Sequence, residues 1–442
     1  MPLGPRSAPE RLELRAYRAL TSMARPIAPL ILKFRERRGK EDPARRGERL
    51  GRPSLPRPAG TVAWVHAASV GETSAILPLI GRLLERRPEL TILLTTGTVT
   101  SARFAAGRLP DRTLHQYVPL DSPRLVETFL EHWRPSLGIF TEQEIWPNLV
   151  LEAGRRNIPL ALVNARMSDA SFERWQRRAG LAEALFQHFA VVLAQNEGLA
   201  QRFLRLGAPR AIAAGNLKID APAPKVEAAA FTALSRALAG RPRLVAASSH
   251  AGEELAIGAA HLQLRAGHPG LVTIVAPRHP ERGEAIALAL AALGLEVCRR
   301  SEGRLPGTGT DIYIADTIGE LGLLYASTPV AFVGGSLIPH GGQNPIEAVR
   351  HGAVVVTGAS TYNFTDAYAA LIAADGAVAL ADGAELASVL GRLLAEPERL
   401  AAMQGRATRA LLALSGALER TTSALLPYLP EPVAAEDGQR AV

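Results

Sequence analysis

The chain is 442 residues long, with one cysteine and a formal net charge of +8. That length suits two large domains or three smaller ones and leaves ample chain for buried cores, while the lone Cys298 excludes a disulfide framework and any multi-cysteine metal site and fits a reducing compartment. The charge is uneven: residues 1–60 hold 15 Lys and Arg against 6 Asp and Glu, and the other 382 hold 35 against 36, so the basic character belongs to an N-terminal arm and a nucleic-acid-binding body is not expected.

Within the arm, residues 11–40 intersperse Leu12, Leu14, Tyr17, Leu20, Met23, Ile27, Leu30, Ile31 and Phe34 with seven basic side chains between Arg15 and Arg38. The apolar spacing predicts amphipathic helix, interrupted by Pro26 and Pro29. Its longest uncharged run, 26–32, is far shorter than the roughly 20 residues a transmembrane helix needs, and it lacks the apolar stretch and cleavage site of a signal peptide. A basic amphipathic segment suits the interface of an anionic membrane; an ordinary surface helix would show the same pattern. Residues 43–58, rich in Pro, Gly and Arg, read as a linker or extended lead-in.

From residue 61 short apolar runs alternate with amphipathic helical patterns. Strands are predicted at 61–66, 90–95, 116–118, 137–141, 160–163 and 191–194, with helices at 73–86 and 99–108 among those between them. A Pro/Ala-rich stretch at 221–225 reads as an interdomain linker. A second series follows, with strands at 243–247, 271–275, 296–298, 311–315, 330–333, 354–357 and 378–380. Such alternation implies parallel sheets covered on both faces. The expected fold is α/β, two Rossmann-like domains in tandem with a ligand cleft between them at the carboxyl ends of both sheets. Residues 397–426 are predicted as one terminal helix, stopped by Pro427, that crosses back to brace the first domain; from Pro430 on the chain is expected to fray.

The most informative stretch is Gly334-Gly335-Ser336-Leu337-Ile338-Pro339-His340-Gly341-Gly342-Gln343-Asn344-Pro345-Ile346-Glu347, at a strand-to-helix turn. Glycines let a backbone approach a ligand closely, and a helix N-terminus offers free N–H groups to anions. Glu347 falls in the first helical turn, where it can accept from ribose hydroxyls. Five further post-strand turns carry chemistry. In 66–73, Glu72 follows a Gly turn into a helix, a suitable place for a general base that the helix N-terminus favours in its ionised form; helix capping alone is the plainer role. In 141–148, Glu142 and Glu144 flank Gln143 ahead of Pro147 at a helix start. In 215–220, Lys218 can neutralise a phosphate or carboxylate. In 276–282, Arg278 is placed to grip phosphate as a fork, with His279 beside it. In 316–321, another helix start offers open N–H groups. Solvent-facing or capping roles remain open for each of these taken singly.

Taken together and in this order, these segments resemble the 3-deoxy-D-manno-octulosonic acid (Kdo) transferases of lipopolysaccharide assembly. The likeness runs from Arg45-Arg46-Gly47-Glu48-Arg49-Leu50-Gly51 to about residue 415, through 66–72, 142–149, Asn164-Ala165-Arg166-Met167-Ser168, 215–220, 276–282, 316–321 and 334–347. It implies the GT-B glycosyltransferase fold, with an arm and linker at 1–60, an acceptor domain at 61–222, a CMP-sugar-binding domain at 223–415 and the end of the terminal helix and tail at 416–442. It implies an inverting transferase that moves Kdo from CMP-Kdo to the tetraacylated disaccharide bisphosphate precursor of lipid A. CMP-Kdo would be a substrate, with neither cofactor nor metal needed for donor binding. Glu72 matches the family's catalytic base, and Glu142 and Lys218 match residues that support the transition state. Pro277, Arg278, Ile318, Gly319, Glu320, Asn344, Pro345, Ile346 and Glu347 match the segments that hold the CMP moiety. The family implies attachment at the cytoplasmic face of the inner membrane through the N-terminal segment.

The sequence departs from the family pattern at Gln143, usually Thr, and at Gln343, usually His. Two other readings compete. One is a GT-B transferase or epimerase using a UDP-sugar, which binding of UDP in place of CMP would reveal. The other is a non-catalytic nucleotide-binding module at a membrane, against which Glu72, Glu142 and Lys218 together speak.

Overall fold

A computed structural model describes residues 11–431 in two compact units. One is made of the chain up to Ala221 together with the chain from Ser415 onward, and the other is Pro222–Leu414. Most of the tail expected to fray, from 432 on, lies outside the described residues, as do the first ten positions.

The first unit is built on seven parallel strands: β1 (Val62–Ala67), β2 (Thr91–Thr96), β3 (Thr113–Tyr117), β4 (Leu137–Thr141), β5 (Leu160–Ala165), β6 (Phe189–Ala194) and β7 (Ala211–Ala213), in the spatial order β3-β2-β1-β4-β5-β6-β7. β1, β4 and β5 are buried along their whole length because helices cover both faces. Alternate side chains serve opposite layers: Trp64 packs with Phe129, Phe140 and Phe189, whereas Ala63 and Val65 pack with Ile76, Leu79 and Ile80. β7 was not foreseen, since Ala211-Ile212-Ala213 is short and alanine-rich and gives little strand signal.

The second unit repeats the plan with β8 (Arg243–Ser249), β9 (Val272–Pro277), β10 (Val297–Arg299), β11 (Ile312–Ile314), β12 (Val330–Val333), β13 (Val354–Thr357) and β14 (Ala377–Ala379), in the order β10-β11-β9-β8-β12-β13-β14 and again all parallel. In each sheet the connection direction reverses once, between β1 and β4 and between β8 and β12. At such a switch point the loops leaving neighbouring strand ends diverge and open a crevice for ligands.

The arm forms helices Leu12–Met23 and Ala28–Glu36 around a short 3-10 turn at Arg25–Ile27, as the two prolines require. Leu14 and Leu32 face inward, while Leu12, Leu20, Met23, Ile27, Leu30, Ile31 and Phe34 stay exposed. No helix among the described residues is long and apolar enough to cross a membrane. The segment 43–58, expected as a linker, instead opens with helical turns at Pro43–Arg45 and Arg46–Arg49. Glu48 is fully buried there; its carboxylate accepts from the Tyr117 N–H of edge strand β3 (2.7 Å) and from Arg45 Nε (2.9 Å). Arg49 donates to the Val118 carbonyl. Composition read this segment as a linker, and only the buried partners of its charges show otherwise.

The predicted terminal helix is also corrected. It breaks into Pro397–Ala413 and Ala417–Leu425 at Gly416, whose φ of +94° is left-handed and suits glycine. The second piece belongs to the first unit, where Ala417 and Leu425 join Ile76 and Leu79 in one core layer. Asp220 fastens it, accepting from the Gly416 N–H (2.9 Å) and the Leu418 N–H (2.6 Å).

Candidate active site

In the first unit, β1 ends in the turn Ala68-Ser69 and the helix Val70–Arg86 begins. Ser69 is the N-cap, its Oγ accepting from the Glu72 N–H (3.3 Å). Glu72 answers in the manner of a capping box. Its Oε1 accepts from Ser69 Oγ (2.8 Å), and its Oε2 accepts from the Ala68 N–H (2.9 Å) and lies 2.8 Å from Thr141 Oγ1 at the end of β4. Thr141 Oγ1 is also 3.0 Å from the His66 carbonyl, so its single proton serves one acceptor at a time. Burial pushes the Glu72 carboxyl above its ordinary value; hydrogen bonds from Thr141, Ser69 and Ala68 pull against this, and the charge of Glu144 adds to the rise. By sequence the helix N-terminus favours the ionised form; burial pulls the other way.

Glu142 follows Thr141 with a left-handed φ of +51°, which turns its side chain toward Lys218 Nζ at 2.6 Å. Arg166 Nε stands 3.9 Å from its other oxygen. Asn164 joins the group: its Nδ2 is 3.4 Å from Glu142, and its Oδ1 accepts from the Leu217 N–H (3.0 Å), the first residue of the short helix Leu217–Asp220 that carries Lys218. Three loops that are far apart in sequence thus deliver one partly buried ion pair. Glu144 is held differently, accepting from Trp146 Nε1 (2.7 Å) with His66 Nε2 at 3.7 Å. Burial works against its charge, but contact with His66 and Trp146 prevails and holds the carboxyl below its ordinary value.

In the second unit the same switch point carries a carboxylate that the sequence reading missed. Glu253 opens the helix Glu253–Leu264 just after β8, is 1% exposed, and accepts from four backbone N–H groups: His250 (2.8 Å), Gly335 (2.8 Å), Ser336 (3.0 Å) and Leu337 (3.1 Å). The Gly-rich turn after β12 therefore does not offer these N–H groups to a ligand, as expected from the sequence; an anion of the chain itself fills them. Further on, Gly341 N donates to Ser360 Oγ and the N–H groups of Gly342 and Gln343 turn back to the carbonyls of Gly335 and Gly334. Glycine is required at 334 by close approach, since a Cβ there would meet the Ser248 carbonyl at 2.6 Å. The helix Ile346–Arg350 is capped by Asn344, whose Oδ1 accepts from the Ile346 N–H (3.0 Å) while its Nδ2 donates to Glu347 (3.1 Å). Pro345 and Ile346 are buried beneath this turn.

The remaining expected donor residues are scattered in exposure. Pro277 ends β9 and is buried; Arg278 is exposed, with its backbone N–H on the Ser249 carbonyl (2.9 Å) and its guanidinium in no ion pair among the described residues. Ile318 is 84% exposed, and Gly319 has a φ of +90° with open space where a side chain would stand. Glu320 is already engaged: Arg300 grips it through Nε and Nη2, and Thr317 Oγ1 adds a third bond, holding the carboxyl below its ordinary value. The turn at 316–321 is thus less open than its sequence suggested. At the Gly-rich turn His250 Nε2 lies 3.1 Å from the Gln343 amide nitrogen, and its ring packs against His340 with centroids 4.2 Å apart. Among the described residues no three His, Cys, Asp or Glu side chains converge to hold a metal ion.

Solved structures place this architecture. A glycosyltransferase from Rickettsia africae matches 84% of this chain and 98% of its own at a TM-score of 0.59 and 10% identity, and a UDP-GlcNAc 2-epimerase from Neisseria meningitidis matches 83% and 100% at 0.56 and 14%. Identities so low speak for the fold alone, which is GT-B. Sequence relatives go further. A family model described as 3-deoxy-D-manno-octulosonic-acid transferase matches residues 44–221. Kdo transferases from Bordetella pertussis (38% identical, 92% of this chain and 98% of the relative) and Haemophilus influenzae (34%, 93% and 99%) align over most of their length, as does a probable mitochondrial one from Arabidopsis thaliana (38%, 87% and 89%). The chain belongs to the 3-deoxy-D-manno-octulosonic acid transferase family, and it is a glycosyltransferase.

Proposed function

We propose that the chain transfers Kdo from CMP-Kdo to the tetraacylated disaccharide bisphosphate precursor of lipid A, with inversion at the anomeric carbon and Glu72 as general base. The observation that carries this reading is the Glu72 carboxylate, held at the β1–β4 switch point by an N–H and two hydroxyls and made more basic by burial. A carboxylate made more basic by burial suits proton removal from an alcohol. The acceptor O–H bond breaks toward Glu72 as the oxygen bonds to the anomeric carbon, and the bond to the CMP phosphate breaks with its electron pair leaving on CMP. Lys218, fixed by Glu142, supports the charge that develops. For the donor, the exposed Arg278 guanidinium suits phosphate, Glu347 at its helix start suits ribose hydroxyls, and 318–320 contributes the exposed Ile318 and the uncrowded Gly319 backbone.

The arm supports a place at the cytoplasmic face of the inner membrane. Its exposed apolar side chains, from Leu12 to Phe34, sit among basic ones, as an interfacial helix pair on anionic lipid requires. Deletion of residues 1–40 is expected to abolish most co-sedimentation with anionic liposomes while leaving CMP affinity near that of the parent; unchanged sedimentation removes the arm as anchor. The reaction is tested with purified protein, CMP-Kdo made in situ and the tetraacylated precursor, read by mass spectrometry. Mass increments of Kdo support the reading. Their absence with a working donor supply overturns it and directs a screen of UDP-sugars.

A further inference from the structure

We propose that Arg300 is a positioning residue for donor binding: by gripping Glu320 it holds the turn 317–320 in a shape that leaves Ile318 and Gly319 open to the donor nucleotide. The proposal rests on the reading that 318–320 meets the donor. The turn follows β11, whose neighbour β9 ends at Pro277 just before Arg278, and the carboxyl ends of such strands are where open α/β sheets seat ligands. Arg300 commits all three guanidinium nitrogens to fixing this turn. Nε donates to Glu320 Oε2 (2.5 Å) and Nη2 to Glu320 Oε1, a bidentate pair. Nη1 donates to the Tyr313 hydroxyl (3.1 Å), which donates in turn to the Arg304 carbonyl (3.1 Å). Tyr313 is fully buried in β11, so the guanidinium is anchored to the sheet. Thr317 Oγ1 reaches Glu320 Oε2 from the other end of the turn.

Glu320 stands at the N-cap of the helix Leu321–Ala326, yet its side chain caps no N–H there; the carboxylate is turned to Arg300 instead. The entry to the turn is held by the same segment. Asp316 accepts from the Ser301 N–H (2.9 Å), Ser301 Oγ (2.7 Å) and Arg299 Nε (3.0 Å). Three consecutive residues, Arg299 to Ser301, therefore grip both ends of the turn. Its middle is open: the N–H and C=O groups of Ile318 and Gly319 carry no hydrogen bond among the described residues. An open turn held at neither end would sample many shapes, and ordering it on binding would cost affinity; pinned ends remove that freedom beforehand. The charge of Arg300 is matched by Glu320, so its effect on a nucleotide passes through the turn and not through direct attraction of phosphate.

The test titrates full-length parent, Arg300→Met, Glu320→Gln, the double variant and Thr317→Val with CMP and with UDP by calorimetry, and measures kcat and KM for Kdo transfer. Arg300→Met is expected to weaken CMP binding and raise the KM for CMP-Kdo by about tenfold, with kcat within about twofold of the parent, as loss of a prearranged binding surface does. In the Glu320→Gln background the same substitution is expected to add less than about twofold, because the residue through which Arg300 acts is already altered. Thr317→Val should weaken CMP binding in the same direction by less, and it carries the test if Arg300→Met does not fold. Parental CMP affinity in Arg300→Met, or in Thr317→Val where that variant stands alone, overturns the proposal. So does a loss that persists in full in the Glu320→Gln background, which would mean that Arg300 touches the donor itself, and so does a fall in kcat at parental KM. A parent that binds UDP and not CMP overturns the donor reading instead, and the same series read on UDP then decides the role of Arg300.

Discussion

Both units place a Gly-Glu pair just beyond the first strand of the switch point, Gly71-Glu72 after β1 and Gly252-Glu253 after β8, and the two carboxylates are held by different kinds of donor. Glu72 has one backbone N–H and two hydroxyls. Glu253 has four backbone N–H groups. A hydroxyl can swing its proton elsewhere, as Thr141 can toward the His66 carbonyl, and leave an oxygen able to receive a proton. Backbone donors set in a turn cannot, so Glu253 remains an acceptor for good. Equivalent topology thus yields, in one unit, a carboxylate whose hydroxyl donors can turn away and, in the other, an internal anion that shapes the Gly-rich turn.

The contrast is sharpest in activity. Glu72→Gln keeps the side chain's shape but removes the proposed base, and it is expected to lower transfer by about 10²–10⁴-fold while CMP binding, followed by calorimetry, stays parental. Glu253→Ala should act on the fold. Stranding four buried N–H groups, each worth about 1–3 kcal/mol when unsatisfied, should lower stability by at least roughly 3 kcal/mol in urea unfolding. A parental midpoint would break the comparison. The Glu142–Lys218 pair lies between these extremes. Replacing Glu142 by Gln and Lys218 by Met, singly and together, should give a coupling energy of about 1–2 kcal/mol in kcat/KM, whereas additive losses would show that the two act independently. The smallest effect is on stability against pH. A carboxyl raised in the folded state contributes stability that is present below its unfolded value and lost as pH rises through the folded one. Glu72→Gln should therefore be at least as stable as the parent in urea unfolding at pH 8, with any gain vanishing in acid.

The buried strands were legible because fully covered parallel strands read as apolar runs, and the post-strand motifs marked both switch points. What the sequence could not display is which donors and acceptors are already matched. Glu320 is engaged by Arg300, twenty residues earlier, and the N–H groups at 335–337 by Glu253, more than eighty residues earlier. A signal for Glu253 was present, for Gly252-Glu253 follows a strand into a helix as Gly71-Glu72 does. Glu142 meeting Lys218 rests on left-handed backbone at Glu142 and Asn164, which neither residue type announces. The break at Gly416 was hidden in an Ala/Leu-rich background, where one glycine inside a helical pattern is common.

That break bears on how the protein is made. The helix Ala417–Leu425 completes the core layer around Ile76 and Leu79, yet it is translated only after the whole of Pro222–Leu414. The first unit begins synthesis early and must wait, with an apolar face uncovered, while all of Pro222–Leu414 is translated and is free to fold. A nascent chain stalled before residue 417 should carry a finished second unit and an unfinished first one, so chaperone dependence and protease sensitivity during translation should concentrate on the half that was begun first.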